Sequence, residues 1–263
     1  MPIDRYAALI ELLRPRGSVA VAFSGGVDST LLLKAACDAG LRTVAVTATS
    51  PLLPLREADA AAAMARVLGV PHHVVETNEL GLPGFADNMT DRCYRCKAYR
   101  YDLLVRFAHE TGFEALADGS NVDDLHDFRP GLRAVAEHGV LTPLIDAGLT
   151  KDTVREISRR LELATWNKPS APCLATRIPF GTRITEDALL RIERAEDVIS
   201  AMGFRDVRVR SYGDAACIEV SAAQIPLLRG AGVRGEIAAL LKEIGFQSVS
   251  IDPEGYRSGK LNP

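Results

Sequence analysis

A short β-branched apolar run, Val19 to Phe23, leads into Ser24-Gly-Gly-Val-Asp-Ser29, and an apolar stretch of helical spacing then runs from Thr30 to Ala39 and stops at Gly40. Strand, glycine loop and helix in that order restrict the chain to a small set of α/β architectures. The loop sits at a helix N-terminus, where free backbone N–H groups and partial positive charge favour an anion, and adjacent glycines let a ligand reach the backbone. It lacks the Lys-Ser/Thr ending of a Walker A loop, which points to pyrophosphate binding rather than γ-phosphate transfer. A tight turn with helix-capping Ser and Asp is the plainer alternative; the agreement of strand, glycines, hydroxyls and acid favours phosphate.

The alternation continues. Thr43 to Thr47 reads as a strand, Leu55 to Leu68 as an alanine-rich helix ended by Gly69, and His72 to Val75 as a third strand. Crossovers of that length imply a parallel sheet. After a polar loop from Asp87 to Arg92, Lys97 to Thr111 has helical spacing (Tyr101, Leu104, Val105, Ala108), and Ala115 to Ala117 fits a fourth strand. An amphipathic helix spans Thr150 to Leu163, and Lys168-Pro-Ser-Ala-Pro-Cys173 contains prolines that neither helix nor central strand tolerates. Helix (Thr185 to Met202), strands (Asp206 to Ser211, Ala216 to Val220), helix (Val233 to Ile244) and strand (Gln247 to Ile251) then suggest a small α+β domain. The expected organisation is residues 1–170, a cysteine-bearing loop 171–184, and 185–263.

With 263 residues, 47% of them hydrophobic, the chain can bury an ordinary core. A formal charge of -3 gives no field that would draw it onto nucleic acid or an anionic membrane. Asp4, Arg5, Glu11, Arg14 and Arg16 interrupt any signal-like apolar stretch, and no uncharged run approaches the ~18 residues of a membrane span, so a cytoplasmic location is expected. Five cysteines are too few and too uneven for a disulfide framework, leaving them as thiols, ligands or catalysts.

The glycine loop resembles the SGGxDS motif of the ATP pyrophosphatases, which split ATP into AMP and pyrophosphate while adenylating a substrate; GMP synthetases, NAD synthetases and tRNA-thiolating enzymes share it. The resemblance implies a parallel-sheet, adenine nucleotide alpha hydrolase-like domain in which Ser24, Gly25, Gly26, Asp28 and Ser29 hold pyrophosphate, with Asp28 near Mg²⁺ and adenine near Ala22, Thr47 and Ser50. Arg92-Cys-Tyr-Arg-Cys-Lys97, Asp118-Gly-Ser-Asn-Val-Asp-Asp124 with Asp127-Phe-Arg-Pro-Gly131, Pro172-Cys-Leu-Ala-Thr-Arg-Ile-Pro-Phe-Gly181 and Gly255-Tyr-Arg-Ser-Gly-Lys-Leu-Asn262 resemble the LarE family over nearly the whole chain. That family adenylates a carboxylate of a pyridinium mononucleotide and delivers sulfur to it, on the way to the nickel-pincer cofactor of lactate racemase. It implies a small-molecule substrate, a homo-oligomer, and no nucleic-acid or membrane partner.

A carboxylate becomes electrophilic once adenylated, and Lys97 or Arg129 suits the charge that develops on the phosphates. Gly119 is expected beside the nucleotide, and Asp124 and Asp127 orient metal or water or, equally well, make Asx turns. By resemblance Arg208 and Arg210 contact phosphate, with Glu196 near the pocket; a solvated strand face is the alternative for the arginines. The histidines show no metal-ligand spacing, and Trp166 reads as packing.

Cys173 lies in a proline-bounded loop with Lys168 and Arg177 near in sequence, cations that favour a thiolate if they fold back on it. By resemblance it attacks the activated carbonyl and then surrenders its sulfur, leaving dehydroalanine. Alternatively Cys93, Cys96 and Cys173 hold a 4Fe-4S cluster that supplies sulfur, the three-cysteine form of the family. Zinc and a redox dithiol are weaker alternatives, because a closed tetrahedral set and a thioredoxin-like setting are missing. Cys37 and Cys217 sit in apolar periodic segments and read as packing. An ATP-dependent tRNA thiolase and a non-catalytic nucleotide or iron-sulfur module are the competing functions.

Overall fold

The computed structural model describes residues 2–125, 131–257 and 260. The chain forms two compact units, Met1–Glu79 with Asp91–Ala171, and Leu80–Thr90 with Pro172–Pro263.

The first unit opens with a helix that motif reading leaves unassigned, α1 (Pro2–Leu13), in which Tyr6, Leu9 and Leu13 recur at helical spacing and are buried. It continues through β1 (Ser18–Ala22), α2 (Val27–Asp38), β2 (Arg42–Thr49), α3 (Leu55–Val67) and β3 (His72–Glu76). Then come α4 (Arg92–Glu110), β4 (Leu116–Ala117), α5 (Gly131–Glu137), α6 (Pro143–Asp146) and α7 (Lys151–Arg160). The four strands form one sheet in the order β3-β2-β1-β4, all parallel, with Val21 opposite Ala45 on one side and Ala117 on the other.

Alternation along the strands explains why the sheet is covered on both faces. Val19, Val21 and Ala45 pack with Leu31, Leu32 and Ile157, whereas Ala20, Val44 and Val46 pack with Tyr101, Leu104 and Val135. The parallel α/β architecture is thus the expected one. Two of the element starts that differ bear on the site. The helix after the glycine loop begins at Val27, so Asp28 and Ser29 occupy its first turn. Helix α4 begins at Arg92 rather than Lys97, which puts Cys93 and Cys96 on a helix.

The second unit contains α8 (Glu186–Ala201), β5 (Arg208–Tyr212), β6 (Ala215–Glu219), α9 (Ile225–Leu228), α10 (Ala231–Ile244) and β7 (Ser248–Ile251). Its sheet has the order β5-β6-β7, with β5 antiparallel and β7 parallel to β6, and Ile199, Val209, Ile218, Leu241 and Phe246 fill its core. The segment 80–90 is part of this unit. Asn88 is fully buried, and its side-chain amide donates to the carbonyls of Ile178 (3.3 Å), Pro179 (2.8 Å) and Thr182 (2.9 Å). Among the described residues no helix is long and apolar enough to cross a membrane.

Candidate active site

Parallel strands deliver the loops that follow them to one edge of the sheet, where ligand crevices form. In the first unit the segments after β1, β2 and β4 line a cleft of about 350 Å³. Of the residues expected from sequence, Ala22, Ser24, Asp28, Ser29, Thr47, Lys97, Gly119 and Asp124 line it. Gly25 and Gly26 complete the loop between Ser24 and α2, and Ser50 directly follows β2. Arg129 and Asp127 lie outside the described residues.

The loop's conformation requires its first glycine. Gly25 has φ +63, and a Cβ there would come within 2.8 Å of the Ala61 Cα, a backbone atom that cannot swing away. Ser24 donates its backbone N–H to the Ser29 hydroxyl (3.3 Å), whose oxygen lies 3.2 Å from that of Ser24. Gly119 serves a different end. A Cβ there would lie 2.9 Å from the Ser29 nitrogen, so its lack of a side chain lets the β4 loop rest on the first turn of α2.

Each cation lining the cleft faces an acid, but in three different ways. Arg100 pairs with Glu79, whose carboxylate is buried and also accepts from the Thr77 hydroxyl at 2.8 Å. Burial opposes the charge on Glu79; the Arg100 guanidinium and hydrogen bonds from Arg100, Ser50 and Thr77 outweigh it and hold the carboxyl below its ordinary value. Lys97 lies 4.0 Å from Asp118, which is already satisfied by the Tyr101 hydroxyl (2.6 Å) and the Ser120 backbone N–H (2.8 Å). Lys151, which motif reading does not single out, hydrogen-bonds Asp28, and the Asn121 amide donates to the other Asp28 oxygen at 3.1 Å. A partly exposed pair of this kind contributes roughly 0–1 kcal/mol, whereas removing one partner of a buried pair costs about 3–5 kcal/mol.

Thr47 donates to the Phe23 carbonyl (2.7 Å) and lies 2.7 Å from His72 Nε2, an imidazole whose pKa is lowered by burial and by neighbouring His73. Asp124 accepts from the Asn121 backbone N–H at 3.0 Å, the turn-forming role its residue type favours. The Lys168 ammonium lies 3.1 Å from the Gly25 carbonyl oxygen and 2.9 Å from Glu57, both in the first unit's own framework. Trp166 is exposed rather than packed.

Cys96 lines the cleft and Cys93, one helical turn earlier, is exposed. Cys173, half-buried, precedes a short 3-10 turn, Leu174–Arg177, in the second unit. There the Arg177 guanidinium donates to the carbonyls of Pro172 (2.7 Å) and Cys173 (3.1 Å) and pairs with Glu196 at 2.8 Å. None of the cysteines forms a disulfide, and no group of three or more His, Cys, Asp or Glu side chains able to hold a metal gathers among the described residues. Cys37 and Cys217 are partly buried, and burial, then the charge of Asp38, pushes the Cys37 thiol up.

The strand face carrying Arg208 and Arg210 is not solvated: both are buried. Arg210 donates to Glu219 through Nε (3.0 Å) and Nη2 (2.7 Å), and through Nη1 to the Thr176 carbonyl (2.7 Å). Arg208 lies over the Tyr256 ring, 5.1 Å from its centroid; burial, then the nearby Arg177 charge, lowers its pKa. Glu196 also accepts from the Val209 backbone N–H (3.1 Å); burial opposes its charge, and Arg177, Arg208 and that hydrogen bond together hold its carboxyl low.

Residues 6–89 match the family model for asparagine synthase. The chain is 36% identical over 260 residues to the pyridinium-3,5-bisthiocarboxylic acid mononucleotide synthase of Lactiplantibacillus plantarum, covering 98% of this chain and 94% of that protein. It is 43% identical over 243 residues to an uncharacterized protein of Synechocystis, covering 92% of this chain and 91% of that one. A tRNA-specific 2-thiouridylase of Synechococcus is 28% identical, over 64% of this chain and 54% of its own length. The solved NMN synthetase of Francisella tularensis superposes with a TM-score of 0.53 at 16% identity, over 65% of this chain and 76% of that one, a likeness of fold.

Proposed function

The chain belongs to the family of the pyridinium-3,5-bisthiocarboxylic acid mononucleotide synthase, and from that premise we propose that it adenylates a carboxylate of a pyridinium mononucleotide and converts it to a thiocarboxylate. Membership makes it a sulfurtransferase of the ATP pyrophosphatase type. The observation that carries the finer reading is the meeting, in one cleft, of the glycine loop, Lys97 and a cysteine, Cys96.

A carboxylate resists attack because its leaving group would be an oxide; joined to AMP it has a stable one. In this reading the loop N–H groups and the Ser24 and Ser29 hydroxyls hold the departing pyrophosphate, and Lys97 offsets charge on the α-phosphate. Mg²⁺ is commonly held by one or two carboxylates and the nucleotide's own phosphates, and Asp28 supplies a carboxylate in the cleft. Arg208 and Arg210 are assigned substrate phosphate on the family pattern; Arg210 would have to exchange its present partners to reach it.

For the sulfur we propose a 4Fe-4S cluster held by Cys93, Cys96 and Cys173, which when bound supplies a sulfide that can be replaced between turnovers. Two of the three thiols are in favour of it: Cys93 and Cys96 lie at i and i+3 on the first turns of α4, neither locked in a disulfide, and Cys173 would have to join them. Anaerobically reconstituted protein should show broad iron-sulfur absorbance that Cys93→Ala removes; stoichiometric iron persisting in that variant overturns the assignment. Loss of H₂S from Cys173, seen by intact mass after turnover, would favour the sacrificial route instead.

The reaction itself is tested by supplying ATP, Mg²⁺ and pyridinium mononucleotide carboxylates and following pyrophosphate. Release that depends on the carboxylate is expected. Release that depends instead on tRNA would favour the thiolase, and none with either would leave a binding module.

A further inference from the structure

Helix α4 brings Cys96, Lys97, Arg100 and Tyr101 to the cleft, and α5 packs against it. Ala134 and Val135 of α5 are buried in one core with Tyr101 and Leu104, the Tyr94 hydroxyl donates to Glu137 (2.7 Å), and the Arg133 guanidinium lies 3.6 Å from the Tyr94 ring centroid. Gly131, the first residue of α5, is buried on ordinary helical backbone that alanine also adopts. A Cβ there would meet three consecutive carbons of one side chain: Lys97 Cδ at 2.5 Å, Cγ at 3.1 Å and Cε at 3.4 Å. Resting on the reading above in which Lys97 meets the α-phosphate, we infer that Gly131 is a positioning residue: its bare Cα is the groove along which the Lys97 stem runs, and it sets where the ammonium stands in the cleft.

At Gly25 and Gly119 the obstructing atoms nearest a new side chain are backbone, so substitution there strains the fold itself. At Gly131 the obstacle is a lysine stem, and the helices on either side of it are held together by the Ala134 and Val135 core and by the Tyr94 contacts. The lysine must therefore yield. Rotating only the last bond of its stem leaves Cγ and Cδ where they are, so clearing a methyl takes a new rotamer nearer the backbone, which swings Nζ as well. The present position of that ammonium is a defined one. It lies 5.5 Å from the Tyr101 ring centroid and 4.0 Å from Asp118, and Tyr101 is itself anchored by donating its hydroxyl to Asp118 at 2.6 Å. A lysine on a flexible stem, partly open to water, would otherwise sample many positions; groove, ring and carboxylate narrow them before a nucleotide arrives.

The test uses the full-length chain. Gly131→Ala should slow carboxylate-dependent pyrophosphate release about 10- to 100-fold, in kcat more than in KM, with a melting temperature at or above wild type, because alanine on helical backbone removes freedom from the unfolded chain. In Lys97→Ala, where no stem crosses the groove, adding Gly131→Ala should change turnover by less than about twofold. A crystal structure of Gly131→Ala should show Lys97 Nζ moved by about 1 Å or more, with Tyr101 and Asp118 in place. Wild-type turnover in Gly131→Ala, an unmoved Lys97, or an equal slowing of Lys97→Ala by the second substitution overturns the inference. So does a Gly131→Ala chain that melts below wild type or fails to fold, since the methyl would then have struck the fold rather than the lysine. Should Lys97→Ala be too slow to measure, the crystal structure decides. If Lys97→Ala turns over like wild type, the role given to Lys97 in the proposed function falls; if Lys97→Ala is slow and Gly131→Ala is not, only this inference falls.

Discussion

The Lys151–Asp28 pair of the first unit and the Arg177–Glu196 and Arg210–Glu219 pairs of the second differ chiefly in how much water they see. In the cleft of the first, the side chains of Lys151 and Asp28 keep 35% and 21% of their exposure. In the second, those of Arg177 and Glu196 keep 1% and 0%, and those of Arg210 and Glu219 6% and 2%. The same residue types therefore do different things. Solvated ions trade partners at small cost and suit a site that must take up and release charge. Buried ions that lose a partner are stranded, so their pairs hold backbone in place, here the carbonyls around Cys173 and Thr176.

Breaking the buried side should have the largest effect. Glu196→Ala, which leaves Arg177 without its carboxylate, is expected to destabilise the chain by about 3–5 kcal/mol in urea unfolding; a loss below about 1 kcal/mol would erase the contrast. Asp28→Asn should leave unfolding within about 1 kcal/mol of wild type yet slow pyrophosphate release about 100-fold, an effect on the barrier near 2.7 kcal/mol. Gly25→Ala forces a side chain into left-handed backbone against Ala61 and should cost about 1–3 kcal/mol, read as a lowered melting temperature with weaker ATP binding.

The smallest effect is in acid. Glu79, Asp118 and Glu196 are held below their ordinary values, burial opposing and their cations and hydrogen bonds prevailing. The unfolded chain therefore binds more protons than the folded one just below about pH 4. Stability from these groups is complete above that range and falls as pH drops through the lowered values. Glu196→Gln should flatten the acid limb of unfolding free energy against pH; an unchanged slope would count against the Arg177 pairing.

What sequence conveyed was what is local. The glycine loop, α3 and the fourth strand depend on neighbouring residues and appear close to where pattern reading places them. Helix α4 escaped at its start because Arg92-Cys-Tyr-Arg-Cys offers little apolar periodicity, and Asp91 before it makes no capping side-chain hydrogen bond. Lys151 was invisible for another reason. Its partner Asp28 is 123 residues away, and a lysine opening a helix resembles any surface lysine until the fold joins the two. Lys168 shows the same limit: the Gly25 carbonyl and the Glu57 carboxylate that it meets are both distant in sequence. The signal for α1 lay in the helical spacing of Tyr6, Leu9 and Leu13.

The allotment of residues 80–90 has a practical side for anyone wishing to express the first unit by itself. A fragment cut after Ala171 would retain Phe85 and Asn88 but lose Ile178, Pro179 and Thr182, whose carbonyls take the Asn88 amide. It would carry a thwarted donor in a segment whose unit is missing, an invitation to aggregate. A better truncation would also replace that eleven-residue excursion with a short glycine-serine bridge from Glu79 to Asp91.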